Sequence, residues 1–165
     1  ELACLVELAL DQRAVPGPDR HVGDRVVIPR QIGTLGEVPV QHVPHLLDEV
    51  PAVLIAAACA EGATVVRGAA ELRVKESDRI ATMATGLRAL GIAVDETADG
   101  ATIHGGTLHG GEVESHGDHR IAMSFCIAAQ RAAGEVVVHD VANVATSFPG
   151  FDTLARSVGF GLRQA

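Results

Sequence analysis

The chain contains no tryptophan, no tyrosine and only four phenylalanines. Its core must therefore be aliphatic, and the aromatic platforms on which single-stranded bases stack are missing. An excess of positive charge is also lacking. The net charge of −8 disfavours a general nucleic-acid role, although it says little about any single pocket. No apolar run reaches the ~18 residues that cross a bilayer, and no signal-peptide pattern is visible. The expectation is a chain without a membrane partner, in a reducing cytoplasm. Cysteine is scarce. Cys4, Cys59 and Cys126 each lie among Ala, Leu, Ile or Val. Their odd number and unpaired spacing give neither a disulfide framework nor a zinc knuckle, so they read as buried reduced thiols. The glycine pairs at 105–106 and 110–111 lack the lysine and hydroxyl spacing of a phosphate-binding loop.

What remains is an ordinary soluble composition, 47% hydrophobic and 21% charged over 165 residues, which suffices for one domain with its own core. The chain begins at Glu1 inside a helix-like pattern (Leu2, Leu5, Val6, Ala9), which reads as an excised domain or fragment. Residues 13–25 read as a loop. Residues 26–28 and 37–40 are short strand candidates. A helix is expected over 46–60, with Asp48 near its start, Pro51 in its first turn and Gly62 beyond its end. Residues 64–67 read as a strand, 77–90 as a helix stopped by Gly91, and 92–94 with 101–103 as a hairpin around Asp99-Gly100. A helix over 118–133, a strand over 135–139 and a final helix over 149–158 complete the order. The pattern of Asp48, helix, Gly62 and strand returns about 70 residues on as Asp118, helix, Gly134 and strand. An α/β domain of repeated units fits.

Two charged clusters stand at helix starts. The first is Glu71-Leu72-Arg73-Val74-Lys75-Glu76-Ser77-Asp78-Arg79, and the second is Ser115-His116-Gly117-Asp118-His119-Arg120. Helix N-termini present free N–H groups and partial positive charge, so an anion pocket containing acid/base groups is one reading. A solvated charge run with Ser77 or Asp78 as a cap is the other. Asp48 is either a charge complementing a helix dipole or a carboxylate that takes a proton from a substrate hydroxyl. Arg79 offers a planar fork for carboxylate or phosphate, and Lys75 a mobile point charge. His116, Asp118 and His119 could hold a metal, which Arg120 would oppose. Alternatively, Arg120 and helix N–H groups clamp an anion while His119 hydrogen-bonds it or relays a proton.

These two clusters, with Leu46-Leu47-Asp48-Glu49-Val50-Pro51 and Ala145-Thr146-Ser147-Phe148-Pro149-Gly150-Phe151, resemble the C-terminal motifs of the 5-enolpyruvylshikimate-3-phosphate (EPSP) synthases. The match runs in order from about residue 26 to the end. It implies repeated βαβαββ units forming one lobe of the two-lobed enolpyruvyl transferase fold, with residues 26–165 in the C-terminal lobe as two units. Residues 1–25 would be the remnant of a preceding unit, a helix plus loop. The implied activity is a cofactor-free and metal-free transfer of enolpyruvyl from phosphoenolpyruvate to the 5-hydroxyl of shikimate 3-phosphate in chorismate biosynthesis, a reaction targeted by glyphosate. By motif position, Asp48 would take the hydroxyl proton and Glu76 would act at the methylene carbon. Arg79 and Arg120 would hold the phosphoenolpyruvate charges, His119 would support them, and Lys75 would border the shikimate pocket. Part of the family has a lysine where Thr146 stands here. The partner required is the missing N-terminal lobe, so the chain alone is expected to be inactive. A UDP-N-acetylglucosamine enolpyruvyl transferase lobe and a non-catalytic domain of a fusion protein are the rival readings.

Overall fold

The computed structural model describes residues 35–39 and 44–163. The helix expected near residues 2–9, the loop at 13–25 and the strand at 26–28 lie outside these residues, as do Cys4 and His21. The first strand, β1, spans Glu37–Pro39, and a 3-10 segment covers Pro44–Glu49 before helix α1 at Val50–Cys59. Strand β2 is Ala63–Arg67, a 3-10 turn covers Ala70–Val74, and α2 is Arg79–Ala89. The hairpin consists of β3 (Ala93–Thr97) and β4 (Gly100–His104). Then come β5 (His109–Glu114), α3 (His119–Ala129), β6 (Ala133–His139), α4 (Ala142–Ser147) and α5 (Phe151–Ser157).

The order is therefore βαβαββ followed by βαβαα. The first sheet runs β1-β2-β4-β3, with β1 parallel to β2 and the remaining pairs antiparallel. The second is the parallel pair β5-β6. Register sets Thr64 opposite Ile103 and Ile103 opposite Val94, which puts all three on one buried face. Helices α1, α2 and α3 pack together over that face through Leu54, Ile80, Met83, Leu87, Ile121 and Phe125. As expected, no aromatic residue but Phe125 enters this core. A fully buried leucine such as Leu87 contributes about 1.5–3 kcal/mol.

Four sequence expectations shift. The helix expected from residue 46 becomes α-helical only at Val50, because Pro51 has no N–H to bond the carbonyl of Leu47, and the preceding turn tightens to 3-10. Helix α3 ends at Ala129, and Gly134 lies inside β6 rather than at the helix end. The final helix starts at Phe151, after a separate α4 that the pattern did not suggest. Strand β5 was not among the expected elements, because His109-Gly110-Gly111 carries no β-branched residue. Glycine is needed there: a Cβ on Gly110 would stand 2.7 Å from the Glu135 carbonyl oxygen of the neighbouring strand.

Candidate active site

Both charged clusters contain an aspartate that caps a helix. The Asp78 carboxylate accepts from the Ala81 N–H at 3.0 Å to start α2. Asp118 accepts from the N–H groups of Arg120 (3.0 Å) and Ile121 (3.4 Å) to start α3. The N–H groups of Ala81, Arg120 and Ile121 are thus used by the chain's own carboxylates, so of the expected clamp of Arg120 and helix N–H groups these three are already taken by the caps.

Arg79 is the first residue of α2, so its side chain points back beneath the cap, and it is only 1% exposed. Its Nε donates to Asp118 Oδ2 at 2.8 Å, Nη1 to Asp48 Oδ1 at 3.1 Å and Nη2 to Glu76 Oε2 at 2.5 Å. Burial alone would lower its pKa. The hydrogen bond and charge of Asp118, then Glu76 and Asp48, outweigh burial and hold the guanidinium above its ordinary value. A lone buried cation would be expensive, and three carboxylates arranged around a planar fork offset that cost.

Asp48 sits in the 3-10 segment and caps nothing, since the residue before α1 is Glu49 and makes no side-chain cap. It is instead a bridge. One carboxylate oxygen meets Arg79, and the other lies 3.5 Å from Nη2 of Arg120. Nη1 of Arg120 also donates to the Asp48 carbonyl (3.0 Å) and to Glu49 Oε1 (3.3 Å). Asp48 and Glu76 keep about half of their side-chain surface open to solvent (50% and 53%), whereas Asp118 has none. Asp48, Glu76, Arg79 and Arg120 thus form one connected network, although 72 positions separate the first from the last.

Lys75, the only lysine in the chain, is tied to Glu71 at 2.5 Å. That hydrogen bond, more than any other influence, holds its ammonium above the ordinary lysine range. His119 is half-buried between Asp118 and Arg120 and makes no hydrogen bond among the described residues. Thr146 is exposed in α4. The Phe148-Pro149-Gly150-Phe151 block builds a second apolar cluster: the two rings lie 5.9 Å apart at 58°, and Phe151 packs with Met123 and Ala155. No group of His, Cys, Asp and Glu among the described residues gathers in a metal-holding arrangement, so the metal reading of His116, Asp118 and His119 finds no support.

Two participants were not singled out as site residues by sequence. Asp118 reaches Arg79 across 39 positions, and Ser77 Oγ donates to the same Asp118 oxygen at 3.2 Å. In the sequence Asp118 stood out only as a possible metal ligand beside His116 and His119 and as the match of Asp48 in the repeat; neither signal pointed to Arg79, on whose guanidinium both carboxylates meet. The network is net negative: Lys75, Arg79 and Arg120 face Asp48, Glu49, Glu71, Glu76 and Asp118. A shallow depression lined by Asp48, Glu49, Ala52, Arg120, Met123, Ser124 and Ile127 borders one side. Glu76 is not among its lining residues.

Residues 22–154 match the family model of EPSP synthase (3-phosphoshikimate 1-carboxyvinyltransferase). The 3-phosphoshikimate 1-carboxyvinyltransferase of Xanthomonas axonopodis pv. citri is 69% identical over 129 residues, 78% of this chain and 29% of that protein. The enzyme of the same description from Xanthomonas campestris pv. campestris is 71% identical over 126 residues, 76% of this chain and again 29% of the relative. Among solved structures, an EPSP synthase from Acinetobacter baumannii superposes with a TM-score of 0.73 at 52% identity, covering 77% of this chain and 31% of that one. The enolpyruvyl transferase NikO from Streptomyces tendae superposes with a TM-score of 0.53 at 25% identity, covering 69% of this chain and 25% of its own. The chain therefore spans under a third of the length of the relatives it matches. From the ordered motifs, the βαβαββ unit and these likenesses together, the chain belongs to the EPSP synthase family.

Proposed function

We propose that this chain supplies the C-terminal-lobe half of a 3-phosphoshikimate 1-carboxyvinyltransferase site, which moves the enolpyruvyl group of phosphoenolpyruvate onto the 5-hydroxyl of shikimate 3-phosphate. The observation that carries the reading is the convergence of Asp48 and Glu76 on Arg79, with Arg120 on the other oxygen of Asp48. The chemistry asks for such a set. The hydroxyl oxygen forms a bond to C2 of phosphoenolpyruvate and loses its proton, while C3 gains one, giving a tetrahedral adduct. Loss of phosphate and of a C3 proton then regenerates the double bond. A half-exposed carboxylate anchored by two arginines suits Asp48 to accept the hydroxyl proton, and Glu76 would exchange the C3 proton. Arg79 and Arg120 would hold the spectator charges in fixed positions. Lys75 would border the shikimate pocket, and His119 would contribute a hydrogen bond. No metal or organic cofactor has a part in these steps.

Two anionic substrates would meet a net negative surface here, so the remaining cations must come from the other lobe. The test is phosphate release from phosphoenolpyruvate and shikimate 3-phosphate, measured for the chain alone and for the chain joined to the first lobe of the Xanthomonas axonopodis relative. The joined protein should turn over, ignore UDP-N-acetylglucosamine, and exceed the chain alone by orders of magnitude. Full turnover by the chain alone, or a folded joined protein that releases no phosphate, would overturn the reading.

A further inference from the structure

We propose that Asp118 is the fixed anchor of Arg79, a positioning residue that keeps the guanidinium in place while Asp48 and Glu76 are free to exchange partners with substrate. This rests on the reading of Asp48 and Glu76 as the substrate-facing carboxylates.

The three carboxylates around Arg79 are unequal. Asp118 is fully buried, whereas Asp48 and Glu76 are about half exposed. Every side of Asp118 is satisfied within the chain: Oδ1 accepts two backbone N–H groups, and Oδ2 accepts Ser77 Oγ and Arg79 Nε. Removing it from Arg79 would strand a buried charge with no water to replace the bond. Asp48 and Glu76 face solvent, so water or a substrate group can take over either of their bonds at small cost. The bonds also fall on different edges of the fork. Asp118 holds Nε at the root of the guanidinium, and the exchangeable pair holds the two outer nitrogens. Fixing the root sets the plane of the fork and leaves its outer N–H groups to choose between carboxylate and substrate. A helix cap alone would not need this arrangement, because the capping oxygen is Oδ1 and the anchoring oxygen is Oδ2.

The readout is hydrogen exchange of the Arg79 Nε–H in the 165-residue chain, assigned by its loss in Arg79→Lys. Asn caps a helix as well as Asp does. Asp118→Asn therefore keeps the cap but presents either a donor or a neutral oxygen to Nε, and Asp118→Ser keeps a cap without a competing donor. Both are expected to speed Nε–H exchange at least about tenfold, while Asp48→Asn and Glu76→Gln change it by less than about threefold. If both Asp118 variants fail to fold while the latter two keep protection, the anchor assignment stands, since the cap has been retained. Two results overturn it: protection that survives in folded Asp118→Asn and Asp118→Ser, or protection lost as fully in Asp48→Asn or Glu76→Gln. None of these outcomes depends on turnover, so the proposal and the catalytic reading can fail separately.

Discussion

At the scale of single residues, the proposed function rests on one buried arginine and on the carboxylates that surround it. Sequence reasoning reached Asp48, Glu76, Arg79 and Arg120 because their motifs carry recognisable chemistry. It offered Asp118 only as a metal ligand or as the repeat counterpart of Asp48, because the sequence does not tell what the second oxygen of an aspartate at a helix start touches. Only the fold brings Ser77 and Arg79 to that oxygen. Lys75 gives a clean local test, since it is the only lysine and its pKa is raised first by the hydrogen bond it donates to Glu71. A raised cationic pKa contributes stability that is complete below the unfolded value and is lost as pH rises through the folded value. In a carbon-detected titration of the lysine side chain, Lys75 should therefore titrate above a model lysine, and Glu71→Gln should bring it down. An unchanged titration in Glu71→Gln would show that the pair is not formed in solution.

At the scale of elements, helices α2 and α3 approach closely because Gly86 offers no side chain to Phe125. A Cβ at position 86 would lie 2.3 Å from the tip of the buried ring. Gly86→Ala gains about 1 kcal/mol of helix propensity but overpacks the contact by about 1–3 kcal/mol. A net loss of up to about 2 kcal/mol is expected, read as a lower urea midpoint, with part of it recovered when Phe125→Leu is added. A stabilised Gly86→Ala would mean that the helices can move apart without cost. Asp78→Ala should lose about 1 kcal/mol through the α2 cap, whereas Asp78→Asn should keep most of it. Elements with strong periodicity, such as α2 with Ile80, Met83 and Leu87, were legible to within two residues. Strand β5 was not, because glycines chosen for close strand approach look like turn residues when read in isolation. The start of α1 was displaced for a local reason as well, since Pro51 withholds a hydrogen bond that side-chain periodicity cannot register.

At the scale of the molecule, the chain pairs an aliphatic core with an open, acidic surface. Two thiols lie in or against the apolar clusters, Cys59 buried and Cys126 partly buried rather than fully buried as expected. Burial pushes Cys126 up to about 11 and also raises Cys59. The folded state then holds protons that the unfolded state releases above pH ~8.5, so stability must fall as pH rises toward 11, by about 3 kcal/mol for Cys126. With tyrosine absent, few other groups share this alkaline range. Cys126→Ala should flatten the fall of the urea midpoint between pH 8.5 and about 11, and an unchanged slope would rule the thiol out as its source.

The proposed half-site character draws on the same large-scale view. The βαβαββ unit and its successor present Asp48, Glu76, Arg79 and Arg120 together, yet supply more carboxylates than cations. The most direct measurement is single-turnover adduct formation by the chain joined to a first lobe, with Asp48→Asn compared against the unsubstituted protein. The account predicts that the chemical step slows by at least about a hundredfold while shikimate 3-phosphate binding shifts only a few-fold. An Asp48→Asn protein that forms the adduct at the unsubstituted rate would contradict it.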